Sequence, residues 1–160
     1  MHSLIEEDGV SHINVYSQGV TKLGRMLSNF AHTPFNHPLF GHFESVEGFW
    51  YWLGTGQQHE ELRALYGFEA KRVGRLYDRV PCEDFKLHVE DALFYKVAQN
   101  LDLQWLLIES NNDLPLVHYY SYGQGAKIVV PRDCEWILEC LENLRRSYRF
   151  QYKTCSWVYD

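Results

Sequence analysis

Residues 45–54 read SVEGFWYWLG, and they set one carboxylate in a run of large apolar side chains. Ser45 is a helix N-cap residue, because its hydroxyl can accept from the unpaired amides of the first turn. Gly54 and Gly56 end the helix it starts. Between them Val46, Phe49, Trp50, Tyr51, Trp52 and Leu53 surround the axis instead of forming one stripe, the pattern of a buried helix. Glu47 sits inside that pattern. A buried carboxylate is costly unless paired, and burial raises its pKa toward the range useful for acid–base chemistry. Gly48 costs such a helix about 1 kcal/mol relative to Ala. Two readings stand side by side. In one, backbone or ligand approaches closely beside a working carboxylate. In the other, Glu47 pairs with an Arg or caps its own helix, and Gly48 only lets helices pack.

The rest of the chain bounds what this helix can belong to. With 160 residues, 46% hydrophobic and 22% charged, the expectation is one folded domain with its own core. A net charge of −6 argues against a mainly electrostatic nucleic-acid binder, yet leaves room for a small phosphorylated ligand held by two or three cations. Aromatic residues reach 16%, enough to fill a core and also line a pocket for a flat ligand. The opening MHSLIEEDGV has no apolar leader and no stretch is apolar enough to span a membrane, so a cytosolic chain is expected. Cys82, Cys134, Cys140 and Cys155 lack CxxC spacing and read as free thiols.

The expected fold class is α+β, mostly helical with a few short strands. Residues 1–12 form a polar lead, 13–148 the domain and 149–160 a C-terminal extension. Ile13 and Val15 mark a short strand, and the Gly-, Pro- and His-rich stretch up to Phe43 reads as an ordered loop with short strands. Helices are expected over 58–66, 68–77 and 83–99, after a cap at Asp102, and from Pro131 onward. Strands are expected over 116–122 and 126–130, joined around Gly123 and Gly125, and the tail FQYKTCSWVY alternates like a strand.

The segments INVYS (13–17), LSNF (27–30), SVE (45–47) and VGR (73–75), in that order and spacing, resemble the NADAR (YbiA-like) superfamily. LDLQWLLIES and the last helix through Leu144 and Arg145 echo it more weakly. The resemblance implies hydrolysis of N-glycosidic bonds between a ribose and a base-like group, on ADP-ribosyl or ribosylamino nucleotides. Glu47 then falls on the family's active-site glutamate. Such cleavage passes through a ribosyl cation that a carboxylate stabilises, or whose attacking water it activates. By the same resemblance Asn29 orients ribose hydroxyls or the base, Phe30 or Trp50 packs on a flat ring, and Arg72 and Arg75 meet phosphates, which guanidinium groups match. The family's histidine after the glutamate is Gly48 here. Its late WG-D-G and GKN-LG run is replaced by HYYSYGQGAKIVVP, so that His118 and Tyr120 are the candidate pocket residues of that region. A phage-encoded member, a non-catalytic binder of an ADP-ribose or NAD-derived nucleotide, and a protein–protein interaction module are the alternatives. ADP-ribosylated nucleic acid is a possible substrate form.

His32, His37, His42 and His59 match no zinc spacing, so no metal and no cofactor are expected. Walker A, GxGxxG, GxSxG and HExxH patterns do not occur.

Overall fold

The computed structural model describes residues 4–122 and 127–159. In chain order its elements are β1 (Ile13–Asn14), α1 (Lys22–Leu27), β2 (Phe35–His37), β3 (Gly41–Phe43), α2 (Val46–Gly54), a 3₁₀ turn (Glu60–Ala64), α3 (Gly67–Gly74), α4 (Phe85–Ala98), α5 (Leu101–Glu109), β4 (Leu116–Val117), β5 (Tyr120–Tyr122), β6 (Lys127–Val129) and α6 (Glu135–Tyr159). The class is α+β and mostly helical, and the described strands form three two-stranded sheets. The chain groups into two units, Asn29–Leu101 and the discontinuous pair Met1–Ser28 with Asp102–Asp160.

In the unit Asn29–Leu101 the apolar helix α2 is the core element. The Ser45 hydroxyl accepts from the Gly48 amide at 3.0 Å and donates to the Leu65 carbonyl at 2.8 Å, so the expected cap forms and is itself anchored. Val46, Phe49 and Leu53 are fully buried. β2 and β3 form an antiparallel hairpin with Phe35 opposite Phe43, and both rings pack on Phe49, with centroids 6.0 and 4.9 Å away. Arg63, in the 3₁₀ turn, lays its guanidinium over the Phe43 and Trp52 rings at 4.5 and 4.6 Å and donates to the Phe40 carbonyl. Its charge thus ties the hairpin to α2. His37 is buried, and burial lowers its pKa more than the neighbouring Asp91 charge raises it. α4 buries Val89, Ala92, Leu93 and Val97 at helical spacing, and with them Lys96, which has no exposed surface. Desolvation brings that ammonium's pKa down to about 7.

In the other unit β1 pairs in parallel with β4, Ile13 opposite Leu116. The buried Asn14 side chain accepts from the Tyr119 amide at 3.0 Å and donates to the Tyr119 carbonyl at 2.9 Å. Glu142 of α6 accepts from the Leu116 amide at 2.8 Å and holds Arg145, whose guanidinium also donates to the Leu114 carbonyl at 3.0 Å. A buried cation is thereby paired and hydrogen-bonded, the condition for tolerating it.

Several expectations need correction. The tail is not a strand: α6 runs on to Tyr159. No Gly or Pro follows Pro131 to stop it, and tertiary contacts fix the helical period. Arg149 caps the end of α5 by donating to the Ile108 and Ser110 carbonyls, while Tyr152, three residues on, packs edge-to-face on Trp105 at 5.5 Å. The helix begins at Glu135, not at Pro131. Residues 58–66 supply only the 3₁₀ turn, and Asp102 lies inside α5 instead of capping it. Within the supposed loop, Thr21 caps α1 by accepting from the Gly24 amide at 2.9 Å, a local signal that the Gly and His content obscured. Strand 116–122 is broken at His118 and Tyr119 into β4 and β5, and the turn expected at Gly123 and Gly125 lies outside the described residues. Among the described residues Cys82, Cys134 and Cys140 enter no disulfide; the side chain of Cys155 lies outside the described ones. Among the described residues no helix is long and apolar enough to cross a membrane.

Candidate active site

Glu47 is held by the start of its own helix. Its amide donates to the Asn29 carbonyl at 2.9 Å, and the Gly67 amide at the start of α3 donates to the Phe30 carbonyl at 2.9 Å. Two helix N-termini therefore pin the Asn29–Phe30 backbone beside the glutamate. These bonds also use amides that would otherwise lack helical partners.

The charges around Glu47 come from α3. Lys71 and Arg75, four residues apart and so on one face of that segment, are the cations that act on the carboxyl. Desolvation outweighs them and pushes the Glu47 pKa up to about 7. The residue nevertheless keeps part of its surface open, being half-buried. Protein crowds the carboxyl closely enough to perturb its ionisation without sealing the side chain. Tyr51 lies one helical turn on from Glu47. Its pKa is raised by burial and then by the Glu47 charge, against a hydrogen bond donated by Arg75. The Tyr51 ring fits because residue 74 is glycine: a Cβ there would overlap the ring where it joins its own Cβ.

Among the residues expected from sequence, Asn29, Phe30, Glu47 and Arg75 meet here, with the Lys71 ammonium 5.8 Å from the centre of the Phe30 ring. Arg72 pairs instead with Glu69 on the exposed side of α3, Nε to Oε2 at 2.9 Å. Trp50 is half-buried and meets Phe85 edge-to-face at 4.8 Å. His118 and Tyr120 belong to the other unit. There His118 donates from Nδ1 to the Val15 carbonyl at 2.6 Å, and the Tyr120 ring lies 6.4 Å from it and 6.5 Å from Tyr16. Lys71 and Tyr51 escaped the sequence reading, although each stands four residues from a candidate, Arg75 and Glu47 respectively. That spacing alone could have flagged them.

Gly48 has a structural role. A Cβ at this position would overlap the Leu62 carbonyl oxygen and lie 3.1 Å from that of Leu65, so glycine lets α2 seat on the 3₁₀ turn. Gly48→Ala is accordingly expected to lose about 1–3 kcal/mol, the usual cost of overpacking, although alanine is the better helix former by about 1 kcal/mol. Urea denaturation followed by circular dichroism measures it; a gain in stability would refute the steric account.

No protein-family model matches the chain, and no curated protein sequence matches it. Among solved structures, the chain is similar to the NMR structure of the E. coli protein YbiA, with 19% sequence identity and a TM-score of 0.63 over 94% of this chain and 95% of that one. The chain, built from the elements β1 to α6 described above, thus has a YbiA-like fold.

Proposed function

We propose that the chain is a divergent N-glycosidase that hydrolyses the N-glycosidic bond of an ADP-ribosyl or ribosylamino nucleotide, with Glu47 as the acting carboxylate. The observation that carries this reading is a partly open Glu47 whose pKa lies near 7, beside two cations and a tyrosine. A carboxylate next to the anomeric carbon stabilises the ribosyl cation as the bond to the base lengthens, and ionised Glu47 can also take a proton from the attacking water. Arg75 and Lys71 supply positive charge for the phosphates, and Asn29 and Phe30 orient the ribose and stack on the base. In this reading Trp50 and Arg72, which belong to the same unit as Glu47, are further ligand contacts, engaged once the nucleotide is bound.

The test is turnover of ADP-ribosylated guanosine, ADP-ribosylated DNA and ribosylamino-pyrimidine phosphates by the native chain and by Glu47→Gln. Release of base by the native chain alone supports the reading. Release from none of them would sink it as a catalytic proposal. The replacement of the late family motif by HYYSYGQGAKIVVP favours a second reading, a binder that sequesters an ADP-ribose-type nucleotide without cleaving it. Thermal stabilisation by ADP-ribose or NAD without turnover distinguishes it.

A further inference from the structure

A second cluster in the unit Asn29–Leu101 has no part in the chemistry above. His37 ends β2, and His88 and Asp91 stand one turn apart on α4, which packs against that strand. Each of the three offers one ligand atom, and these atoms all lie within 4.8 Å of one another. His37 is 3% exposed, and its Nε2 has no hydrogen-bond partner; the Nδ1 of His88 is also buried and unpartnered. The His88 backbone lies close to the His37 ring without making an acceptable bond to Nε2. Two unpartnered buried imidazole nitrogens in rings that cluster with one carboxylate are a poor arrangement for packing alone, because buried polar atoms are almost always satisfied.

We infer that His37, His88 and Asp91 form a binding site for a divalent transition metal, zinc or a close neighbour. Two imidazole nitrogens and one carboxylate oxygen suit Zn²⁺, Co²⁺ or Ni²⁺, whereas Mg²⁺ and Ca²⁺ favour all-oxygen sites. Metal–ligand bonds of about 2.0–2.1 Å put tetrahedral ligand atoms roughly 3.3 Å apart, so from a spread of up to 4.8 Å the three groups need to close by at most about 1.5 Å. The rings of Phe40, Phe49 and Tyr95 surround His37 with centroids at 4.9, 5.4 and 5.8 Å, while the half-buried His88 and Asp91 leave an approach for the ion and a water ligand. The Nδ1 of His37 accepts from the Leu39 amide at 3.1 Å, which places the ring proton on Nε2 in the metal-free state. Coordination through Nε2 moves that proton to Nδ1, and the amide of the exposed Leu39 turns to solvent. Of the four histidines weighed in the sequence only His37 takes part, and its partners come from a helix where His and Asp read as ordinary polar positions.

The experiment strips the full chain with a chelator, adds Co²⁺ or Zn²⁺ alone, and measures bound metal by mass spectrometry and the visible absorption of the cobalt form. One ion per chain is expected. His88→Gln and Asp91→Asn should each weaken binding by more than the roughly tenfold that even outer-shell changes bring, with the metal-free melting temperature retained. His42→Ala is the control, since Glu44 lies 3.3 Å from His32 and 3.5 Å from His42 on the surface and could collect ions by itself. Retention of no ion, binding unchanged in both variants, or binding lost in His42→Ala would overturn the proposal. Should a variant fail to fold, the native cobalt spectrum decides: low-symmetry bands with nitrogen ligation support the site, and the spectrum of the hydrated ion refutes it.

Discussion

Glu47→Gln is expected to lower turnover by roughly 10² to 10⁴-fold, the usual contribution of a positioned acid–base group, while raising the stability of the fold at neutral and alkaline pH. Both effects have one origin. Burial lifts the carboxyl from its ordinary value of 4.5 to about 7, so between those values the native chain holds a proton that the unfolded chain releases. Stability therefore falls as pH rises through that window, is unaffected by this group below it, and carries the whole penalty above it. At about 1.36 kcal/mol per pH unit the penalty is on the order of 3 kcal/mol. Glutamine has no charge to desolvate, so its advantage should appear at pH 8 and vanish at pH 4. Denaturant unfolding at the two values measures it. The ionised form is the one that stabilises a cation, so native activity should rise with pH to a plateau above about 7. Arg75→Met, by removing a charge that holds the pKa down, should move that rise to higher pH. A rate that ignores the Glu47 substitution, or a limb that stays in place without Arg75, would remove Glu47 from the mechanism.

Lys96→Met is expected to stabilise the chain, and more at pH 6 than at pH 10. Here the folded pKa is depressed, from 10.5 to about 7. Below pH 7 both states are protonated and the folded one bears the net cost of desolvating the ammonium. As pH climbs from 7 toward 10.5 the native lysine is already neutral, the unfolded one still binds its proton, and stability recovers. The difference between the two pH values is on the order of 4 kcal/mol. Methionine fills a similar volume without a charge. Melting curves of both chains across pH 6–10 give the result; parallel curves would mean that burial does not depress the lysine's pKa. Taken together, Glu47 and Lys96 give the native protein a trough of stability near neutrality. Most proteins are at their most stable there.

The two groups also mark how far the sequence could be read. Glu47 was legible because its helix is apolar on every side, and Ser45 announced where that helix begins. Lys96 was not, since its place on α4 follows an ordinary helical period and a lysine reads as a solvent position. The four motifs were legible as an ordered set, and the fold they imply is the one observed. The electrostatic cluster was only half visible: Arg75 is named by a motif, whereas Lys71 and Tyr51 join Glu47 only once α3 lies on α2. Tail residues that alternate in polarity satisfied two periods at once. Contacts by Arg149 and Tyr152, remote in sequence, decided for the helix.

The pairing of Ile13 with Leu116 bears on how the chain acquires its structure. The unit Asn29–Leu101 is one unbroken stretch, while the other is assembled from both ends of the chain. During synthesis the first can be complete before Leu116 has left the ribosome, and β1 must wait for a partner. In refolding, closing so long a loop has an entropic cost that local helix formation avoids. Pulse-labelled hydrogen exchange should therefore protect the amides of α2 and α4 in an earlier phase than those of Ile13 and Val15.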